Sequence, residues 1–178
     1  MQNVHEIQLP CGAITLIDNA DRELVSGFSW RLHSNGYVYA DRFEWRIALH
    51  RLIAGPREHE KVDHANGNRL DNRASNLRIA TSAQNSANRG PDRRRAGKSS
   101  KYKGVSWNQE RQHWRAYVHV NGKTKALGSF SDEKEAARAY DRAAIAAWGE
   151  FARLNNADGE EFVTTASDSA HENCGISI

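Results

Sequence analysis

Between residues 90 and 100 the chain reads G-P-D-R-R-R-A-G-K-S-S, with nothing to bury. Such a stretch enters no hydrophobic core, so the apolar residues on either side must form separate ones. At 178 residues, 39% hydrophobic and with a mean hydropathy of −0.77, the chain then holds two small domains rather than one large one. The division expected is 1–90, a basic flexible linker at 91–100, a second domain at 101–156, and an acidic tail at 157–178. That tail shows no strong periodicity and is expected to be disordered.

Charge matters by position rather than in total. The net charge is only +3 with a pI near 9.0, yet Arg89, Arg93, Arg94, Arg95, Lys98, Lys101 and Lys103 follow one another with Asp92 as their only acid. Such a run suits a polyanion through counterion release, and a merely solubilising linker is the plain alternative. Cys11 and Cys174 stand far apart with no Cys-x-x-Cys, which argues against a zinc ribbon and a disulfide scaffold and for an intracellular, cytoplasmic setting in a bacterium or a phage-infected host. No stretch approaches the roughly 20 apolar residues of a membrane helix.

The fold class expected is α+β. Short β-like runs at 7–9, 13–17, 30–32, 37–40 and 45–49, punctuated by Gly12, Gly27 and Asn35-Gly36, predict a small antiparallel sheet. Residues 21–25 suggest a helical turn, and 50–54 a short helix stopped by Gly55-Pro56. Residues 61–64 are expected to pair with Arg69-Leu70 across Asn66-Gly67. Thr81 and Gln84 form a capping box for a helix running to about Arg89. Beyond the linker, 102–107, 113–120 and 123–128 alternate like three strands, the last two joined at Asn121-Gly122. A helix follows, capped by Ser131 or Asp132, with Ala137, Tyr140, Ala144, Ala147 and Trp148 at helical spacing.

An Asp-His pair on a strand, followed by a helix carrying asparagine, is the equipment for hydrolysing a phosphodiester with one hard metal ion. A carboxylate and an amide oxygen suit Mg²⁺ (or Mn²⁺), which keeps most of its waters. A histidine with a pKa near 6.5 is partly neutral at cell pH and accepts a proton from the attacking water. Asp63 and His64 are neighbours, and neighbours on a regular strand point to opposite faces, so the strand must end or bulge there. No His-Glu-x-x-His motif exists, which speaks against a zinc hydrolase.

The run V-D-H-A-N-G-N-R-L-D-N-R-A-S-N-L-R-I-A-T-S-A-Q-N-S-A-N at 62–88, with L-H-R-L-I-A-G at 49–55 before it, resembles the HNH endonucleases of phage and intron-encoded homing enzymes. The resemblance implies a ββα-metal nuclease domain over the first ninety residues. It also implies metal ligands at Asp63 and Asn85, one ion per site, the general base at His64 and a loop-holding asparagine at Asn76. His50 either packs as a structural residue or touches the site. Arg51, Arg78, Arg93, Arg94 and Arg95 are candidate phosphate contacts.

The segments Y-K-G-V-S-W, W-R-A-Y-V-H-V, N-G-K, L-G-S-F and E-A-A-R-A-Y-D-R-A-A, spread over 102–144, resemble the APETALA-type DNA-binding domain of plant ethylene-response factors, with Asn155 matching that family's closing asparagine. The resemblance implies a three-stranded antiparallel sheet packed on one helix, its outer face in the major groove of duplex DNA. Alternation sends Trp114, Ala116, Val118 and Val120 toward the helix and leaves Arg115, Tyr117 and His119 outward. Lys103, Ser106, Asn108, Thr124 and Ala126 fall near family contact positions, with Arg111, Lys123 and Lys125 as phosphate contacts. Trp107 either stacks, meets a sugar or fills the core. Ser106, Thr124 and Ala126 stand where plant members concentrate arginine and tryptophan, so base preference should differ. The function expected is a site-directed DNA endonuclease, acting as a monomer or transient dimer on DNA. The rival is a DNA-binding regulator with an inactive HNH-like scaffold.

Overall fold

Alternating apolar residues close a first hairpin. β1 (Val4–Gln8) pairs antiparallel with β2 (Ile14–Asp18), Val4 lying opposite Asp18 and Gln8 opposite Ile14. The computed structural model describes residues 3–42, 45–90 and 99–156; Arg93, Arg94, Arg95 and Cys174, most of the linker and the tail lie outside them. After a 3₁₀ turn at Asn19–Asp21 and α1 (Arg22–Val25), a second sheet runs β3 (Arg31–Leu32), β4 (Val38–Arg42) and β5 (Trp45–Ala48), in that order. The single sheet expected here is thus two. Between them α1 and Trp30 fill the space, the Trp30 indole N–H donating to the Val25 carbonyl at 3.0 Å. Both sheets feed one core of Leu9, Ile17, Val25, Trp30, Val38, Ala40 and Leu49. α2 (Leu49–Ala54) closes it and stops at Gly55, whose φ of 58° is the left-handed conformation glycine adopts without cost.

The next strand corrects an expectation. β6 (Lys61–His64) pairs antiparallel with β7 (Leu77–Ala80), not with Arg69-Leu70. Asn66-Gly67 does turn the chain, the Gly67 N–H donating to the His64 carbonyl. The turn opens a loop rather than a hairpin. Leu70 and Asn72 instead bracket β2: the Leu16 N–H donates to the Leu70 carbonyl and the Asn72 N–H to the Leu16 carbonyl, both at 2.8 Å. A turn dipeptide reports where the chain reverses and carries no information on which strands then pair. α3 (Ser82–Ala87) follows β7, and Thr81 caps it with the reciprocal Thr81–Gln84 hydrogen bonds expected.

The second unit is a sheet of β8 (Val105–Asn108), β9 (His113–Val120) and β10 (Lys123–Phe130) in the order β10-β9-β8, packed on α4 (Glu133–Trp148). Asp132 caps α4, its Oδ1 accepting the Glu135 N–H at 2.9 Å. Ala116 and Val118 are buried and Arg115, Tyr117 and His119 exposed, as alternation requires. Alanines 136, 137 and 139 let α4 lie close against Val105 and Ala116. Packing is tightest at Gly104, where φ is +71° and a Cβ would lie 2.1 Å from the Tyr140 ring and 2.5 Å from the Tyr117 carbonyl; only glycine fits. A bulge between Ala126 and Gly128 breaks the β10 register. Ser99 and Ser100 already belong to this unit: the Ser99 hydroxyl accepts the Trp107 N–H and the Ser100 hydroxyl donates to Glu133. Among the described residues no helix is long and apolar enough to cross a membrane.

Candidate active site

Three residues singled out in sequence line one cavity of about 290 Å³: Asp63 and His64 from the end of β6, and Asn85 from α3. The facing problem at Asp63 and His64 is solved by termination. β6 ends at His64, and both side chains are buried. Asn76 holds the loop, its Oδ1 accepting the Asn66 N–H at 2.9 Å and its Nδ2 donating to the Asp71 carbonyl at 2.7 Å. It does not line the cavity, so its role is to shape the turn after His64.

The His64 tautomer follows from the network behind it. The Arg69 carbonyl can only accept, so the Asn72 group 3.3 Å from it is the amide NH₂, which also donates to the Thr15 hydroxyl at 2.8 Å. Asn72 Oδ1 therefore faces His64 Nε2 at 3.2 Å and accepts from it. The proton sits on Nε2 and the lone pair on Nδ1. Burial pushes the His64 imidazole below its usual pKa, outweighing the opposite pull of Asn72, Asp63 and Asp71. The neutral, proton-accepting form is thus the resting one near pH 7.

Asp63 is held twice. Arg78 Nε and Nη2 donate to its Oδ2 at 2.8 and 2.7 Å, and Asn88 Nδ2 reaches both oxygens at 3.0 Å and the His64 carbonyl at 2.8 Å. Among the described residues Oδ1 accepts only from Asn88, so it keeps spare acceptor capacity, and Asp63 lines the cavity. No three of His, Cys, Asp and Glu gather among the described residues to form a metal cluster. Oδ1 with the Asn85 amide is instead the sparse oxygen set of a hydrated hard cation, and the residues present fit one.

Sequence reading missed Asn72, Thr15 and Asn88. Asn72 was absorbed into a plain turn, and Asn88 lies one helical turn beyond Asn85, a spacing that signals a shared face. His50 is buried, its ring 4.8 Å from Tyr37 and 5.4 Å from His64. It therefore packs against His64. Burial, with His64 and Arg51 nearby, pushes its pKa down to about 4. A histidine whose folded pKa lies below its unfolded value contributes stability that is complete above pH 6.5 and is lost as the pH falls toward 4. We expect stability to fall by about 2 kcal/mol between pH 7 and pH 5, measured as the urea midpoint. A flat midpoint over that window would show that His50 ionises freely.

Three expected nucleic-acid contacts have partners within the chain itself. Arg51 turns inward, Nη1 donating to the Glu60 carbonyl at 2.9 Å. Arg78 is occupied by Asp63 and by the Glu150 carbonyl, which accepts from Nη1 at 2.7 Å, with its guanidinium 4.1 Å from the Phe151 ring centre. Lys103 does not face outward: its ammonium donates to the carbonyls of Ala87 and Arg89 at the end of α3, and burial lowers its pKa to about 8. In all three, oxygens of the chain itself engage the donor, and for Lys103 these are carbonyls at the open end of α3. Arg111, Arg115, Tyr117, His119, Lys123, Thr124, Lys125 and Ala126 are exposed, His119 Nδ1 lying 3.2 Å from the Thr124 hydroxyl. Ser106 and Asn108 are half-buried, the latter accepting the Arg111 N–H. Trp107 is half-buried edge-on to Trp114 at 5.0 Å, so it packs.

A family model described as HNH endonuclease matches residues 47–87, which span β5 to α3. An uncharacterized HNH endonuclease of Acanthamoeba polyphaga mimivirus is 35% identical over 141 residues, 76% of this chain and 71% of that one. Protein 3.8 of Escherichia phage T7 is 39% identical over 62 residues, 35% of this chain and 49% of that protein. An AP2-like ethylene-responsive transcription factor of Arabidopsis thaliana is 40% identical over 63 residues, 35% of this chain but 13% of its own length. No solved structure matches.

Proposed function

The chain belongs to the HNH endonuclease family and is a DNA-cleaving nuclease, and from that premise we propose a site-directed endonuclease in which 1–90 cuts and 101–156 positions the cut on duplex DNA. The observation that carries the reading is the meeting of Asp63, His64 and Asn85 in one cavity, with the His64 proton placed on Nε2. HNH nucleases generally use a divalent metal; here Asp63 and Asn85 would hold it, with Mg²⁺ or Mn²⁺ the proposed ion. When bound, such an ion offsets the negative charge of the phosphate and of the departing oxygen.

The chain's own residues supply the remainder. His64 Nδ1 takes a proton from the attacking water, while Asn72 keeps the ring oriented through Nε2–H. Arg78 and Asn88 fix the Asp63 carboxylate before substrate arrives, so little reordering is needed. Similarity to part of a plant transcription factor supports an ethylene-response-factor type of reader at 101–156. Its proposed face is the exposed side of β9 and β10, with Arg115, Tyr117, His119, Thr124 and Lys125 toward DNA and Arg111 on phosphate. Holding a weak cutter beside a binding module raises its effective concentration at one locus.

The test is supercoiled plasmid incubated with the full chain and Mg²⁺ or Mn²⁺. We expect nicked or linear product that EDTA abolishes, with duplex binding retained in EDTA. A chain that binds duplex and never cuts with any divalent metal would favour a regulator built on a retired site.

A further inference from the structure

The cavity holding Asp63 and His64 is not closed by the nuclease unit alone. Arg153, which follows α4 in the second unit, lines it together with them. Its guanidinium lies over the Asn66-Gly67 turn, where a Cβ on Gly67 would meet Nη1 at 3.1 Å, and Nη1 donates to the Asn66 carbonyl at 3.3 Å. Among the described residues that is the one hydrogen bond of its side chain, and it uses one of five donors. Among the described residues no carboxylate forms an ion pair with Arg153.

Its placement is enforced from both sides. Two residues earlier Phe151 is buried under the Arg78 guanidinium. Two residues later Asn155 clamps Lys103 through both backbone groups, at 2.7 and 3.0 Å, and its own N–H donates to buried Asp141 at 2.8 Å. Arg69 and Arg89 line the same cavity, so three arginines share it with one carboxylate, that of Asp63. The cluster is felt beyond the cavity: the pKa of half-buried Lys103, lowered first by burial, is held down further by the charges of Arg153 and Arg89. A cationic rim of this kind around a metal-suited carboxylate and a neutral imidazole matches a phosphodiester, whose planar pairs of oxygens accept the guanidinium fork.

We propose that Arg153 is a catalytic residue supplied across the unit boundary, its guanidinium binding a non-bridging oxygen of the scissile phosphodiester. The proposal rests on the nuclease reading of the cavity. The unit that finds the DNA then also completes the unit that cuts it, and cleavage is confined to chains in which both are docked.

The test compares full-length wild type, Arg153→Ala and Arg153→Lys. Removing a charge-assisted bond to phosphate should lower kcat by about 10- to 100-fold, with Arg153→Lys intermediate and the melting temperature unchanged. Binding in EDTA to duplexes carrying phosphodiester or neutral methylphosphonate linkages provides a readout without cutting. Wild type should prefer the charged linkages, and Arg153→Ala should lose most of that preference. Unchanged kcat in Arg153→Ala overturns the proposal, as does slow cutting with the preference intact, which would make Arg153 a docking latch on Asn66. A wild-type chain that never cuts sinks the nuclease reading instead, and the methylphosphonate comparison still reports on Arg153.

Discussion

Alanine in place of His64 is expected to lower kcat for DNA cleavage by about 10²- to 10⁴-fold, the range spanned by a positioned general base. The fold should survive, because His64 contributes one hydrogen bond, to Asn72, and ring contacts with Tyr37 and His50. Duplex binding in EDTA should therefore be retained. The pH profile adds a second check. Since burial pushes the His64 pKa below 6.5, the base is already deprotonated at neutral pH, and wild-type cleavage should be flat above pH 6.5 and fall on the acid side. The alanine variant should lose that acid limb, and added imidazole should restore part of the rate. Undiminished cutting in His64→Ala would remove the residue from the mechanism.

The second large effect is on stability. Arg78→Ala should destabilise the chain by about 3–5 kcal/mol, because it leaves the Asp63 carboxylate buried and without its cation. The Arg78 side chain is only 16% exposed and that of Asp63 6%, so solvent does little to screen the pair. A domain of this size is stable by about 5–15 kcal/mol in all, which makes the loss visible in a urea titration. The same variant should respond more strongly to a divalent cation than wild type does, since an ion on Asp63 would replace the missing charge and stabilise by mass action. A Tm that falls and is then raised disproportionately by Mn²⁺ is the expected signature. If Arg78→Ala melts like wild type, the pair is not worth what its burial implies.

Much of this was readable in the chain because the informative residues act locally. The Thr81–Gln84 box, the Gly55 stop and the alternation in 113–120 depend on neighbours a few positions away, and each appears in the structure. Asp63, His64 and Asn85 were recognisable as a set because their chemistry is specific. Tertiary partners were not readable. Asn66-Gly67 looks like a hairpin turn, yet β6 pairs thirteen and more residues downstream. Arg78 and Lys103 read as cations for DNA because exposure cannot be inferred from residue type, and both are consumed by carbonyls and a carboxylate brought in by folding. Arg153 stood inside the stretch that resembles the plant domain, two residues before its closing Asn155, where nothing marked it for the nuclease cavity. Its position depends on how two units dock, which no local pattern encodes.

The stitches between β2 and the site loop have a temporal side. Thr15 donates to the Leu70 carbonyl, Asn72 to Thr15 and the Ala74 N–H to Asp18, across sequence separations of 55 to 57 residues. Contacts that close such long loops form late relative to local helices and turns. Because β1 and β2 precede the loop in the chain, they are synthesised before the loop that packs on them. The Glu150 and Phe151 contacts to Arg78 come later still, since those residues lie in the second unit. A chain terminated before Glu150 would therefore carry Asp63, His64 and Asn85 but lack the Glu150 and Phe151 contacts to Arg78 and the Arg153 side of the cavity.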